Sequence, residues 1–239
     1  MKHVEFRNFN KYADGNGELS EDVEGIAGLH WLVVDYHGWG GMLKEWRKHS
    51  TSWMEKVSNF GTVVSAGGNC GMYPRFYGEY FNTVYSFEPD PANFDCLQLN
   101  CDGDKYILDQ SALSNTASTD NYSLERVQND NRGSIRLIKD SNGNVETVRL
   151  DDLNLTELDL LHLDLEGHEP EALEGALDTI REFNPVIIVE RSIYPKSYLK
   201  ATKILRDCGY KPFRSIDEYP AKSEHKNTDR INMDAIWIP

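Results

Sequence analysis

Residues 162–169 read HLDLEGHE and hold five side chains that can carry a proton or bind a metal: His162, Asp164, Glu166, His168 and Glu169. An apolar run precedes them, and Pro170 then opens a helix-compatible stretch. Crowding carboxylates at the tip of a strand adds no stability to a fold, so the cluster calls for a chemical account. A carboxylate or imidazole there suits removal of a proton from an acceptor hydroxyl. Asp164 is the first candidate for that base, or for the group that orients the acceptor. His168 is the second candidate, and Glu166 and Glu169 would orient the acceptor. The same oxygens and imidazole also suit Mg²⁺ or Mn²⁺, but spacing within a loop fixes no ligand geometry, and no metal ligand is assigned. Simpler roles compete at several positions. His162 shares a strand face with Asp164 and reads as a buried, hydrogen-bonded histidine. Glu169 can cap the helix at Pro170. Glu171 and Glu174 read as solvated charges on the helix face. Glu190 ends the next strand, where it could line the same pocket or simply be structural.

A second constellation is a glycine turn, SAGGNCG at 65–71, directly after an apolar run. Gly67, Gly68 and Gly71 allow a tight turn and close approach of backbone to a ligand. Glu88 lies 17 residues beyond Gly71, at the end of the next apolar run. A carboxylate offers two acceptors in one plane and can take both hydroxyls of a ribose. Turn and acid together specify a nucleoside-containing cofactor. The pattern is not G-x-G-x-x-G, which disfavours a dinucleotide and a nicotinamide oxidoreductase, and it lacks the G-K-[ST] of a P-loop. Cys70 in the turn reads as a packing residue.

The elements that must position these groups alternate. Residues 62–67, 83–88, 105–113, 160–165 and 185–190 read as strands, and 72–81, 90–100, 170–182 and 196–208 as helices. Final strands are expected near 210–216 and 231–238, antiparallel to each other because no helix separates them. The polar segment 114–158 interrupts the rhythm, with short strands or a hairpin at 135–139 and 145–150. Residues 29–36 read as a strand, 37–41 as a turn, and a helix is expected to start near Trp53, where Ser52 and Glu55 have capping-box spacing. Alternating strands and helices imply right-handed βαβ units, a mostly parallel sheet and helices on both faces. Ligands of such sheets bind at the carboxyl ends of the strands.

Five segments, in order, resemble the FkbM-type S-adenosylmethionine-dependent methyltransferases: TVVSAGGNCGMY (62–73), FEPDP (87–91), TVRLDDL (147–153), LDLEGHEPEALEGA (163–176) and PVIIVE (185–190). The resemblance covers roughly residues 60–192. It implies a Rossmann-like class I methyltransferase fold, with a mostly parallel seven-stranded sheet, an antiparallel C-terminal strand and helices on both faces. It implies S-adenosyl-L-methionine as cofactor. Gly67, Gly68, Asn69 and Gly71 would wrap its methionine part and Glu88 its ribose, while Gln110, Ser111 and Ala112 would lie by its adenine. The implied reaction is O-methylation of a small polar or sugar-like acceptor, and the alternative is a non-catalytic binding or assembly module that retains the fold. Ser65 replaces the acid usual in the family's first motif, and His162 replaces a Lys. Residues 1–58 are expected to form an extension or cap packed on a methyltransferase domain at 59–239.

Bulk properties narrow the partners. The formal charge of −14 repels phosphate backbones and anionic membrane surfaces, so neither nucleic acid nor membrane is an expected partner. The four cysteines form no C-x-x-C pair, the first residues have no apolar signal region, and no run approaches membrane-spanning length. A cytoplasmic location is expected.

Overall fold

The computed structural model describes residues 6–8, 12–13, 19–20, 29–32, 50–127, 131, 133–191, 194–213 and 234–239. Its centre is a seven-stranded sheet. Strands β5 (Thr62–Ala66), β6 (Thr83–Phe87), β7 (Tyr106–Asp109), β12 (Leu160–Leu163) and β13 (Val186–Glu190) run parallel. Strand β15 (Asp234–Ile238) runs antiparallel to β13, and β14 (Lys211–Pro212) antiparallel to β15. The spatial order is β14-β15-β13-β12-β5-β6-β7. The chain therefore builds outward from β5 to one edge, then returns to β12 on its other side. The gap between β5 and β12 is the topological switch point where such sheets take ligands.

The runs that form the parallel strands are apolar almost throughout because both faces are covered. On one face Val63, Val84, Leu160 and Ile188 pack with Trp53, Phe76, Tyr77 and Phe81. On the other, Val64, Phe87, Leu161, Leu163, Ile187 and Val189 pack with Leu173, Ile180, Leu205 and Trp237. The covering helices are α2 (Met72–Tyr77), α3 (Pro91–Asn100), α4 (Glu169–Glu174), α5 (Leu177–Phe183) and α6 (Pro195–Asp207). Residues 50–54 are helical (α1). At α3, Asp90 accepts the N–H groups of Ala92 and Asn93 at 3.1 and 3.0 Å, with Pro91 in the first turn, as the sequence predicts.

Four elements differ from expectation. The helix near Trp53 ends there rather than starts, and Lys56 N–H turns back to the Trp53 carbonyl at 2.9 Å. The strand expected over 105–113 divides: β7 stops at Asp109, and β8 (Ala112–Leu113) leaves the sheet to pair in parallel with β11 (Thr147–Val148). The partner of β10 (Ile135–Lys139) is therefore not 145–150 but β9 (Tyr122–Arg126), a strand inside the polar segment. The helix expected over 170–182 breaks at Gly175, where a Cβ would lie 2.0 Å from the Ser114 carbonyl oxygen. That close approach seats the helix pair on the β8 strand, and α5 restarts with Thr179 N–H donating to Asp151 at 2.9 Å.

Only short pieces of the first 49 residues are described: β1 (Phe6–Asn8) paired with β4 (His30–Leu32), and β2 (Tyr12–Ala13) paired with β3 (Leu19–Ser20). The turn at 37–41 lies outside the described residues. At His30, β4 meets α3: His30 N–H donates to Asn100 Oδ1 at 2.6 Å, and Asn100 Nδ2 returns a bond to the His30 carbonyl at 2.8 Å.

Candidate active site

The glycine turn leaves β5 at its carboxyl end. The N–H groups of Gly67 and Gly68 both donate to the Phe87 carbonyl at 3.0 Å, and Gly71 N–H closes the turn on the Gly68 carbonyl at 2.8 Å. Gly67 has φ +82°, and a Cβ there would sit 1.9 Å from the Asp164 carbonyl oxygen. Only glycine lets the turn lie this close to the end of β12. Asn69 also takes a left-handed φ, +46°, and its side-chain oxygen accepts Cys70 N–H at 2.6 Å. The back of the turn is held by Asn100, whose Nδ2 donates to the Cys70 carbonyl. Cys70 itself is fully buried.

Glu88 follows β6 and is buried. One carboxylate oxygen accepts Asn69 N–H at 2.8 Å and the other accepts Asp90 N–H at 2.9 Å. Burial pushes its carboxyl up to about 7, against the pull of those two backbone donors. The acid is thus tied to the turn by Asn69 and to the start of α3 by Asp90 and the Asn93 side chain. Beyond β7, Gln110 is exposed, while Ser111 and Ala112 are buried. Among the described residues Ser111 Oγ has no hydrogen-bond partner.

The acidic tip follows β12. Asp164 N–H donates to the Ala66 carbonyl at 3.1 Å, which clamps the tip to the end of β5. Burial, then the nearby Glu169, push the Asp164 carboxyl up to about 6, opposed by a hydrogen bond shared with Glu190. Glu166 sits in the left-handed region at φ +50°, and burial, Asp164 and Glu169 push it up to about 8. Glu169, fully buried, accepts the N–H groups of Leu165 and Gly167 on one oxygen at 3.0 and 3.1 Å. It therefore caps the tip's own turn, a structural job. His168 turns toward the inserted strands: its Nε2 meets Ser114 Oγ at 3.0 Å and its ring packs edge-on against Tyr122 at 5.7 Å. Burial lowers its pKa. His162 lies in the core, with Nδ1 on Tyr77 Oη at 2.8 Å, and burial pulls it down to about 3. Ser65 is buried beside it in register.

Two further acids join the tip. Glu190, at the end of β13, is buried, and burial followed by Asp164 raises its pKa well above the usual carboxylate range. Asp234, at the start of β15, accepts Tyr73 Oη at 3.3 Å, and burial, then Asp164, push it up to about 7. Sequence reading placed Glu190 at a strand end but had no signal for Asp234, which lies 70 residues beyond Asp164 on an antiparallel strand. Asn100 was equally hidden as a helix-end residue. Among the described residues, no group of three His, Cys, Asp or Glu side chains is arranged to hold a metal ion. Nor is any helix there long and apolar enough to cross a membrane.

A seven-stranded sheet with its last strands antiparallel, a glycine turn at the switch point and an acid ending the second strand define the class I methyltransferase fold. The model of the methyltransferase FkbM domain matches residues 70–212, and the chain belongs to that family. It is 24% identical over 152 residues to the hexuronic acid methyltransferase AglP of Haloferax volcanii, a match covering 62% of this chain and 63% of that protein. Among solved structures, it is similar to the methyltransferase FkbM of Methylobacillus flagellatus KT, with a TM-score of 0.53 at 18% identity. That likeness covers 80% of this chain and 48% of the other, so this chain spans only part of each relative's length.

Proposed function

We propose that the chain is an S-adenosylmethionine-dependent methyltransferase that methylates a hydroxyl on a small polar or sugar-like acceptor. The observation that carries this reading is the contact between Gly67 and the Asp164 carbonyl. It places a ligand-cradling turn and a buried acid one strand apart.

The residues fit the cofactor. In this reading the turn at Gly67, Gly68, Asn69 and Gly71 takes the methionine part, with Gly67 and Asn69 partly exposed, and Glu88 takes the ribose. Gln110, Ser111 and Ala112 follow the neighbouring strand on the adenine side, where Ser111 has a spare hydroxyl. When bound, S-adenosylmethionine supplies an electrophilic methyl group on sulfur. The protein's share is alignment and proton removal. Asp164, raised to about 6 by burial, is ionised at neutral pH yet more basic than a free aspartate. It takes the acceptor hydroxyl's proton as the new C–O bond forms. Glu166, raised to about 8, is mostly protonated at pH 7 and donates a hydrogen bond that orients the acceptor. His168, tied to Ser114 and Tyr122, fixes the wall formed by the inserted strands. A non-catalytic module would gain nothing from holding a destabilised acid beside the turn, which favours the enzyme over the binding-module alternative. The hexuronic acid named for the Haloferax relative supports a sugar-like acceptor.

The 1–58 segment acts as an extension on the 59–239 domain, and the Asn100 bridge from His30 to the glycine turn supports that role. Calorimetry with S-adenosylhomocysteine tests the function: saturable binding is expected, and none at millimolar ligand would refute it.

A further inference from the structure

The acids at the sheet edge continue past the cofactor turn. In register, Glu190 on β13 stands directly opposite Asp234 on β15. Directly opposed residues of an antiparallel pair share a face, and like charges so placed are destabilising. Glu190 is only 7% exposed, and among the described residues its Oε2 has no hydrogen-bond partner. Among the described residues Asp234 has a modest hydroxyl donor, Tyr73 at 3.3 Å. Burial is the strongest influence on all three acids; the charge of Asp164 comes next for both Glu190 and Asp234, and that of Glu169 comes next for Asp164. Glu190 shares a hydrogen bond with Asp164, but a buried carboxylate oxygen left without a donor is costly, so the pair suits a cationic or donor-rich ligand.

Strand order says which ligand. The glycine turn ends β5, and β12, β13 and β15 follow in that direction. At about 4.8 Å per strand, Glu190 and Asp234 lie roughly 10 and 14 Å across the sheet from the turn, on the side away from Glu88. That is the acceptor side of Asp164. Among the described residues the carboxyls do not converge as metal ligands. An ammonium group, with three N–H donors and one positive charge, matches two opposed carboxylates.

We propose that Glu190 and Asp234 form a subsite for a protonated primary amine on the methyl acceptor, so that the acceptor class is an amino alcohol or amino sugar. The amine is the handle: held as ammonium, it has no lone pair for attack, and the neighbouring hydroxyl meets Asp164. A uronate carboxylate would instead face like charge, so the acceptor differs from the hexuronic acid named for the Haloferax relative. The inference rests on the methyltransferase reading only for the direction from turn to acceptor.

Binding of D-glucosamine, D-glucose and D-glucuronate, measured by ligand-observed NMR with and without S-adenosylhomocysteine, tests the subsite. Glucosamine should bind at least ~10-fold tighter than glucose, with glucuronate weakest, the ordinary strength of a charge-assisted hydrogen bond. Glu190→Gln and Asp234→Asn should each remove that preference, with circular dichroism reporting that the fold is intact. Equal or absent binding of all three sugars, or a preference that survives both substitutions, overturns the proposal. The cofactor's own ammonium is the rival occupant. If the substitutions weaken S-adenosylhomocysteine ~10-fold but spare its analogue lacking the amino group, the amine belongs to the cofactor and the acceptor assignment fails. Absence of S-adenosylhomocysteine binding in the unaltered protein would instead remove the methyltransferase reading, whatever the sugars show.

Discussion

Gly67→Ala tests the contact on which the site is built. Two costs add. The residue's φ of +82° lies where an L side chain is strained, at roughly 1–2 kcal/mol. The new Cβ would stand 1.9 Å from the Asp164 carbonyl oxygen, so that backbone must retreat by about 1 Å to reach even 3.0 Å. Retreat stretches the bond from Asp164 N–H to the Ala66 carbonyl, now 3.1 Å, and the bond from Gly67 N–H to Phe87, now 3.0 Å. At about 1 kcal/mol each, these bring the expected loss to roughly 3–4 kcal/mol. Gly209→Ala is the control, because its φ is +92° but a Cβ there meets nothing within 4 Å among the described residues. It should cost only the conformational part, roughly 1–2 kcal/mol. Urea unfolding of both variants gives the difference, and calorimetry with S-adenosylhomocysteine reads the turn itself. Should Gly67→Ala cost no more than Gly209→Ala and bind as the parent does, the turn is not seated on Asp164 and the geometric argument fails.

Four other outcomes follow from the same structure. Asp164→Asn should lower turnover at least ~100-fold while leaving S-adenosylhomocysteine affinity within about twofold; full activity in the variant would remove Asp164 from the base's role. Glu88→Gln should weaken S-adenosylhomocysteine about 10-fold or more, since an amide replaces one acceptor oxygen with an NH2 donor; unchanged calorimetric affinity would refute the ribose assignment. Tyr77→Phe strips His162 Nδ1 of its partner in the core and should cost about 1–3 kcal/mol in thermal or urea unfolding. Asp164, Asp234 and Glu166 bind protons more tightly folded than unfolded, with carboxyls raised to about 6, 7 and 8. Their stabilising contribution is complete below their unfolded pKa values and is lost as pH rises through the folded ones. Urea unfolding across overlapping buffers should therefore show stability falling from about pH 5 to about pH 8, with a shallower fall in Glu166→Gln; a rise over that window contradicts the burial argument.

The elements that position the site were legible because each carries a local signal. Apolar strands, the Asp90-Pro91 cap and the glycine turn depend on a few adjacent residues, and the structure keeps the cap, the turn and the strands at Thr62–Ala66, Thr83–Phe87, Leu160–Leu163 and Val186–Glu190. What the sequence concealed depends on distant contacts. Gly175 looks like any helix glycine until the Ser114 carbonyl is seen against it. Strand β9 hides in a polar segment because one face is largely exposed, and only Tyr122 is deeply buried. Within the tip, the simple physical choice held at His162, a core histidine bonded to Tyr77, whereas Glu169 caps the turn before the helix and not the helix itself. Asp234 could not be read, since its neighbours in sequence say nothing about the strand it will face.

Register explains why groups so far apart in sequence act together. Ala66 pairs with Phe87 on one side and Leu163 on the other, and Leu163 with Val189. One residue further along each strand stand Glu88, Gly67, Asp164 and Glu190, and Asp234 pairs with Glu190 to complete the row. The row thus crosses five neighbouring strands, with glycine at the one place where a side chain would collide with the next strand. Acids on both sides of that gap are raised by burial, so each is a stronger base and a better acceptor than a free carboxylate. A row of this kind has no folding advantage, because each acid adds desolvation and repulsion to its neighbours. In the proposed reading its gain would come from cationic groups seated along it. A sulfonium near the turn and an ammonium beyond Asp164 would each lower the cost of the acids beside them, and the hydroxyl between would meet the one carboxylate left free to take its proton.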